Sequence, residues 1–141
     1  MSKPATSLTL SVTIQRDASD VYQLIIDPTK LPLWAGGLGQ TVQKLGDDWI
    51  VQTAAGPMKI VFAGKNDFGV ADHTVYPPHA APVHVPMRVL KNGSGSEVLF
   101  TLFRQPDMSD AQYERDAEMV RQDLRKLQQV LEQVREQAPQ Q

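Results

Sequence analysis

Cysteine is missing from the 141 residues, which removes disulfides, thiolate nucleophiles and cysteine-based metal sites together. A membrane-length apolar run is missing too, and Met1 to Ser7 lacks a charged segment leading into an apolar one. The expectation is a cytoplasmic protein without a membrane span. Neither sign of charge is in excess: 14 Lys and Arg against 16 Asp and Glu leave a net charge of -2. Without a basic stripe, no nucleic-acid partner is expected. His73, His79 and His84 have no recognised ligand spacing, so neither a metal nor another cofactor is expected.

Other catalytic patterns fall away on local grounds. Asp47-Asp48 is a carboxylate pair inside a turn signal, where aspartate is favoured for backbone reasons. Gly36-Gly37-Leu38-Gly39 follows a helical segment and does not join a strand to a helix, so it is not a phosphate loop. Ser94 and Ser96 sit in a hairpin without the pattern of a nucleophile elbow.

What is present is a 41% hydrophobic chain that fits one domain, residues 1–141, with its own core. Its organising stretch is Ser109 to about Gln137. Apolar side chains recur there at Tyr113, Ala117, Val120, Leu124, Leu127, Leu131, Val134 and Ala138, steps of four and three that keep one stripe along a helix. Ser109 followed by Gln112 is a capping-box start, with Asp107 and Asp110 placed where the helix dipole favours negative charge. Such a helix runs roughly 40 Å, the width of a small domain. The spacing is also heptad-like, so a coiled coil is the alternative.

Ahead of that helix, Leu8, Leu10, Val12 and Ile14 alternate with polar residues as in a half-buried strand. Asp17 caps a short helix, Ala18 to Ile26, with Val21, Leu24 and Ile25 on one face, ended by Asp27-Pro28. A second short helix holds Leu31, Leu33 and Trp34 and stops at Gly36-Gly37. From Gln40 to Gln105, turn signals at Gly46-Asp47, Ala55-Gly56-Pro57, Asp67-Phe68-Gly69, Pro77–Pro82 and Asn92–Gly95 separate six more strands. Pairing Asn92 with Gly95 and carrying the register back puts one set on a common face: Val85, Met87, Val89, Val98, Phe100, Leu102, His73, Val75, Met58, Ile60, Phe62, Trp49, Val51 and Thr53. The other face collects Lys59, Lys65, Asp72, Tyr76, Arg88, Glu97 and Thr101. A slip of one residue would have mixed the two sets.

This order, with the segments Phe68–His73, Pro86–Val89 and Gly95–Arg104 leading into the last helix, resembles the START-like (SRPBCC) superfamily. That group includes birch-pollen-allergen-like proteins, polyketide cyclases and dehydrases, and lipid-transfer proteins. The resemblance implies an α+β helix-grip fold: a seven-stranded antiparallel curved sheet wrapped around a long C-terminal helix, with two short helices after strand one. It also implies a cavity between sheet and helix for a small apolar or aromatic partner, such as a lipid or polyketide-like molecule. Trp34, Trp49, Met58, Phe62, Met87, Phe100 and Val120 are the expected lining, and aromatic and methionine side chains adapt well to flat apolar ligands.

His73 is the polar exception on the apolar face, either a ligand-orienting or acid–base group or a core histidine bonded to a neighbour. Arg104, on the same face, either reaches the cavity to hold an anionic or carbonyl group or caps the sheet edge. The enzyme version of the reading is a metal-free cyclase, dehydratase or isomerase in which His73 moves a proton and Arg104 or a water polarises a carbonyl. A protein-interaction module with a side-chain-filled cavity, as in the co-chaperone and toxin–antitoxin branches, is the alternative. Asp72 and Arg88 are expected to form a surface ion pair. The proline-rich connection and residues 31–39 are the expected rim, and the chain is expected as a monomer or homodimer.

Overall fold

The computed structural model describes residues 3–36 and 41–137. Alternation builds β1 (Ser7–Ile14), whose odd-numbered side chains are exposed. Asp17 accepts a hydrogen bond from Ser19 N at 3.1 Å and so caps α1 (Ala18–Ile25). Val21, Tyr22 and Ile25 are its buried side chains, while Leu24 is half-buried. Asp27 then accepts from Thr29 N, and a short 3-10 turn, Pro28–Lys30, leads into α2 (Leu31–Trp34). Of the glycines expected to stop α2, Gly36 follows directly after Ala35 and Gly37 lies outside the described residues.

The strands that follow are β2 (Thr41–Leu45), β3 (Asp48–Thr53), β4 (Gly56–Phe62), β5 (His73–Tyr76), β6 (Val83–Val85), β7 (Met87–Asn92) and β8 (Gly95–Phe103), with α3 (Asp110–Gln137) last. They form two antiparallel sheets, β1-β8-β7 and β2-β3-β4-β5-β6, which corrects the expected single seven-stranded sheet. The physical reason is Pro86. Without an N–H it cannot continue a ladder, so it splits the expected strand into β6, which pairs with β5, and β7, which pairs with β8. The break is local. Pro86 O still accepts from Thr101 N at 3.0 Å, and Ala71 N donates to Met87 O at 2.8 Å, so the two sheets abut around the proline.

The register agrees with the hydrophobic pattern. Asn92 lies opposite Gly95, Met87 opposite Phe100, Phe62 opposite His73, Ile60 opposite Val75 and Trp49 opposite Ile60. Val51, Ile60, Val75, Val85, Met87, Val89 and Val98 are all buried. At Gly69, φ is +71° and an added Cβ would lie 2.1 Å from Val89 O, so only glycine permits this crossing against β7.

Ser109 caps α3 by accepting from Gln112 N at 3.1 Å. The Gln112 side chain bonds to Asp116 and does not turn back, so one half of the capping box forms. Ala117, Val120, Leu124, Leu127 and Leu131 are buried within the chain's own core, which gives the stripe its partner without a second helix. The last expected stripe residue, Ala138, lies outside the described residues. The helix lies along β1 and against α2 and approaches β8 less closely. Among the described residues no helix is long and apolar enough to cross a membrane.

Candidate functional site

Because α3 favours β1 and α2, the inner face of β3, β4 and β8 keeps apolar surface that the helix does not fully cover. Trp49, Met58, Phe62 and Phe100 pack against the core but remain half-buried. At one end of this face is a recess of about 300 Å³ bounded by Ile26, Pro28, Asp48, Trp49, Ile60 and Phe62. That volume is at the lower end of the range for small-molecule sites, roughly 300–1,000 Å³. Its lining comes from the segment just after α1 and from the β2–β3 turn, β3 and β4.

The expected lining divides. Trp34, Met87 and Val120 are sealed into the core at 3%, 0% and 8% exposure and do not border the recess. Arg104, expected either to reach the cavity or to cap the sheet edge, is used elsewhere. Its guanidinium donates to Met108 O at 2.7 and 3.0 Å and to Asp110 at 2.6 Å, pinning the turn before α3. His79 lies in the exposed proline-rich turn, and His84 shares a 3.3 Å hydrogen bond with Thr74. Among the described residues no three His, Asp or Glu side chains converge as metal ligands.

His73 lies at the centre of the apolar face, only 4% exposed. Its ring is 5.0 Å from that of Phe62 and 6.4 Å, edge-on, from that of Phe100. Its Nδ1 is 3.1 Å from Ala71 O. A carbonyl oxygen only accepts, so Nδ1 carries the hydrogen and, in the neutral ring, Nε2 carries the lone pair. Burial pushes the imidazole below its ordinary pKa and His84 adds to that push, while the Ala71 carbonyl and the Asp72 carboxylate pull the other way.

The sheet break explains why that carbonyl is available. In a regular antiparallel pair Ala71 and Met87 would exchange both of their hydrogen bonds. Here Ala71 N donates to Met87 O, but Met87 N donates to the Asp72 carboxylate at 2.8 Å. Asp72 is simultaneously gripped by Arg88 through two 2.9 Å bonds, the expected outer-face ion pair. Adjacent residues thus share the work: Asp72 takes the strand's free donor outside, and His73 takes the freed carbonyl inside.

Several features had no clear signal in the sequence. The contribution of Ile26 and Pro28 to the recess depends on how the short helices fold back. Asp47 lies in the expected turn and Asp48 opens β3, and both also border the recess. Asn66 organises its loop by bonding Gly64 O, Val70 O, Phe68 N and Val70 N, and its own N–H donates to Tyr22 Oη at 3.0 Å. A wider groove of about 630 Å³ lies beside that loop, lined by Asp17, Lys65, Asp67 and Lys91 among others. It holds none of the expected site residues, and its lining mixes these charged side chains with Tyr22, Phe68, Val89 and Leu90.

No protein-family model and no curated protein matches the chain. Solved structures do. The protein XoxI from Bacillus cereus is 18% identical, with a TM-score of 0.71 over 92% of this chain and 98% of that one. A START superfamily protein from Mycobacterium smegmatis is 10% identical, with a TM-score of 0.69 over 91% and 98%. The Aha1 dimer from Colwellia psychrerythraea is 11% identical, with a TM-score of 0.70 over 89% and 96%. The fold is therefore the START-like one that the sequence resembles, and at these identities the likeness is one of fold.

Proposed function

We propose that this protein binds a small apolar or aromatic molecule on the inner face of its sheets, entering by the recess between Pro28 and Asp48. The observation that carries the reading is the set of half-buried apolar side chains, Trp49, Met58, Phe62 and Phe100, two of which, Phe62 and Phe100, flank the buried His73. A chain that only needed a core would gain by covering them, at roughly 25 cal/mol for each Å² removed from water. The START superfamily relationship of a solved neighbour supports the same reading. A proton-transfer role for His73 is compatible with its free lone pair, but Arg104 is spent on Met108 and Asp110 and gives no help in polarising a carbonyl.

The test is a titration with 1-naphthol followed by tryptophan emission. Of the two tryptophans, Trp49 lines the recess and Trp34 is sealed in the core. Saturable quenching that disappears in Trp49→Phe, together with slowed hydrogen exchange at residues 26–28 and 47–51, is the expected result. Quenching that survives in Trp49→Phe, or protection confined to the outer loop at 65–69, would move the site elsewhere.

A further inference from the structure

The tautomer of His73 says more about the ligand than its apolar surroundings do. Resting on the binding reading above, we infer that the site selects molecules carrying a hydroxyl donor, a phenol or enol, over otherwise identical molecules that can only accept. Nδ1–H is committed to Ala71 O at 3.1 Å, and Nε2 has no hydrogen-bond partner among the described residues. The fully enclosed, unpartnered side-chain polar atoms among those residues are Trp34 Nε1 and Ser96 Oγ, so Nε2 is not sealed away with them. It is a lone acceptor beside Phe100 and beside Phe62, which borders the recess.

The ring cannot simply turn over to offer a donor instead. Doing so would strip Ala71 O of its hydrogen, and Met87 N, the donor that a regular ladder would supply there, is held 2.8 Å from Asp72 on the other side of the strand. Asp72 thereby acts as a positioning residue for His73. A ligand whose polar group is an ether or ketone brings a second acceptor against the Nε2 lone pair, and neither group has a hydrogen to share. A hydroxyl satisfies Nε2, and its aromatic body covers Phe62 and Phe100.

Matched probes that differ in one hydrogen-bond donor test this: 1-naphthol against 1-methoxynaphthalene, each titrated into the wild-type chain and into His73→Phe. The wild type should bind the naphthol about 3- to 10-fold more tightly, the ratio expected of one net neutral hydrogen bond. In His73→Phe the two should bind alike. Nitrogen NMR of the wild-type ring should show Nε2 unprotonated before addition and shifted by naphthol but not by its methyl ether. Equal binding of both probes to the wild type, or a preference that survives in His73→Phe, overturns the inference and leaves the binding reading standing. If neither probe binds saturably, the binding reading itself falls.

Discussion

Removing the Asp72 carboxylate should cost far more than removing the arginine that pairs with it. The Asp72 side chain is 18% exposed and the Arg88 side chain 46%, so the ion pair alone belongs to the class of contacts worth under ~1 kcal/mol. Arg88→Ala deletes only that. Asp72→Ala also takes the acceptor from Met87 N–H, a part-buried donor whose regular partner, Ala71 O, already accepts from His73 Nδ1–H in a geometry set by the imidazole ring. A donor left without its acceptor costs about 1–3 kcal/mol, so with the ion pair the total for Asp72→Ala is roughly 1–4 kcal/mol. Asp72→Asn is the control, because its amide oxygen can still accept from Met87 N, and it should resemble Arg88→Ala. Urea unfolding of the three variants measures these values directly. The Arg88 guanidinium also holds the Asp72 carboxyl below its ordinary pKa. A depressed folded-state pKa contributes stability that is present above the unfolded carboxylate range and lost as pH falls through the folded value. Wild type and Asp72→Asn should therefore converge in acid. If Asp72→Ala and Arg88→Ala agree within about 0.5 kcal/mol at neutral pH, the carboxylate is not standing in for a ladder acceptor.

Gly69→Ala should destabilise by more than the ~1 kcal/mol that a positive φ costs a non-glycine residue, since its Cβ would also meet the Val89 carbonyl, and thermal unfolding will report it. Ser109→Ala removes the oxygen that caps α3 and should cost about 0.5–2 kcal/mol by the same measurement, whereas Ser109→Asp should hold near wild type.

The inner and outer faces were legible in the sequence because strand parity allows no intermediate: once Asn92 is set opposite Gly95 and the earlier turns are taken where their signals fall, every residue back to Trp49 is assigned. The long helix was legible for the same reason at a different period. The split at Pro86 was harder. The residue's inability to donate is plain from its chemistry, but whether a sheet absorbs it with a bulge or divides depends on a partner strand far along the chain. Asp72 shows the limit most clearly. Its ion pair with Arg88 follows from their common face, whereas its capture of Met87 N depends on a backbone crossing that requires glycine at position 69. His73 was marked out as the one polar member of an apolar set, yet its tautomer needs the position of one carbonyl. For Arg104, parity placed it on the face of His73, but only the three-dimensional fold brings Met108 O within reach.

The side chains along α3 also divide the helix into an end that is fully enclosed and an end that is packed less closely. Leu124, Leu127 and Leu131 are at most 2% exposed. Nearby, Gln128 bonds Thr13 O and Arg16 bonds Leu131 O, fixing this end of the helix to the end of β1. Toward the start of α3 the stripe narrows to Ala117 and Val120, and the tie to β8 is one hydrogen bond from Tyr113 Oη to Leu102 O. Smaller side chains at that end fill less of the space over the neighbouring strands, consistent with Phe100 and Leu102 remaining half-buried. The consequence reverses the usual ranking of truncations. A buried Leu→Ala costs about 2–5 kcal/mol and a fully buried Phe→Ala about 3–5 kcal/mol, so size alone makes the phenylalanine the worse loss. Here Leu127→Ala should be the more damaging, because Leu127 is fully enclosed while Phe62 borders the recess and gives up only part of its area. Parallel urea titrations of Leu127→Ala and Phe62→Ala decide it. A greater loss for Phe62→Ala would mean that the inner face is a packed core, with no room for a ligand.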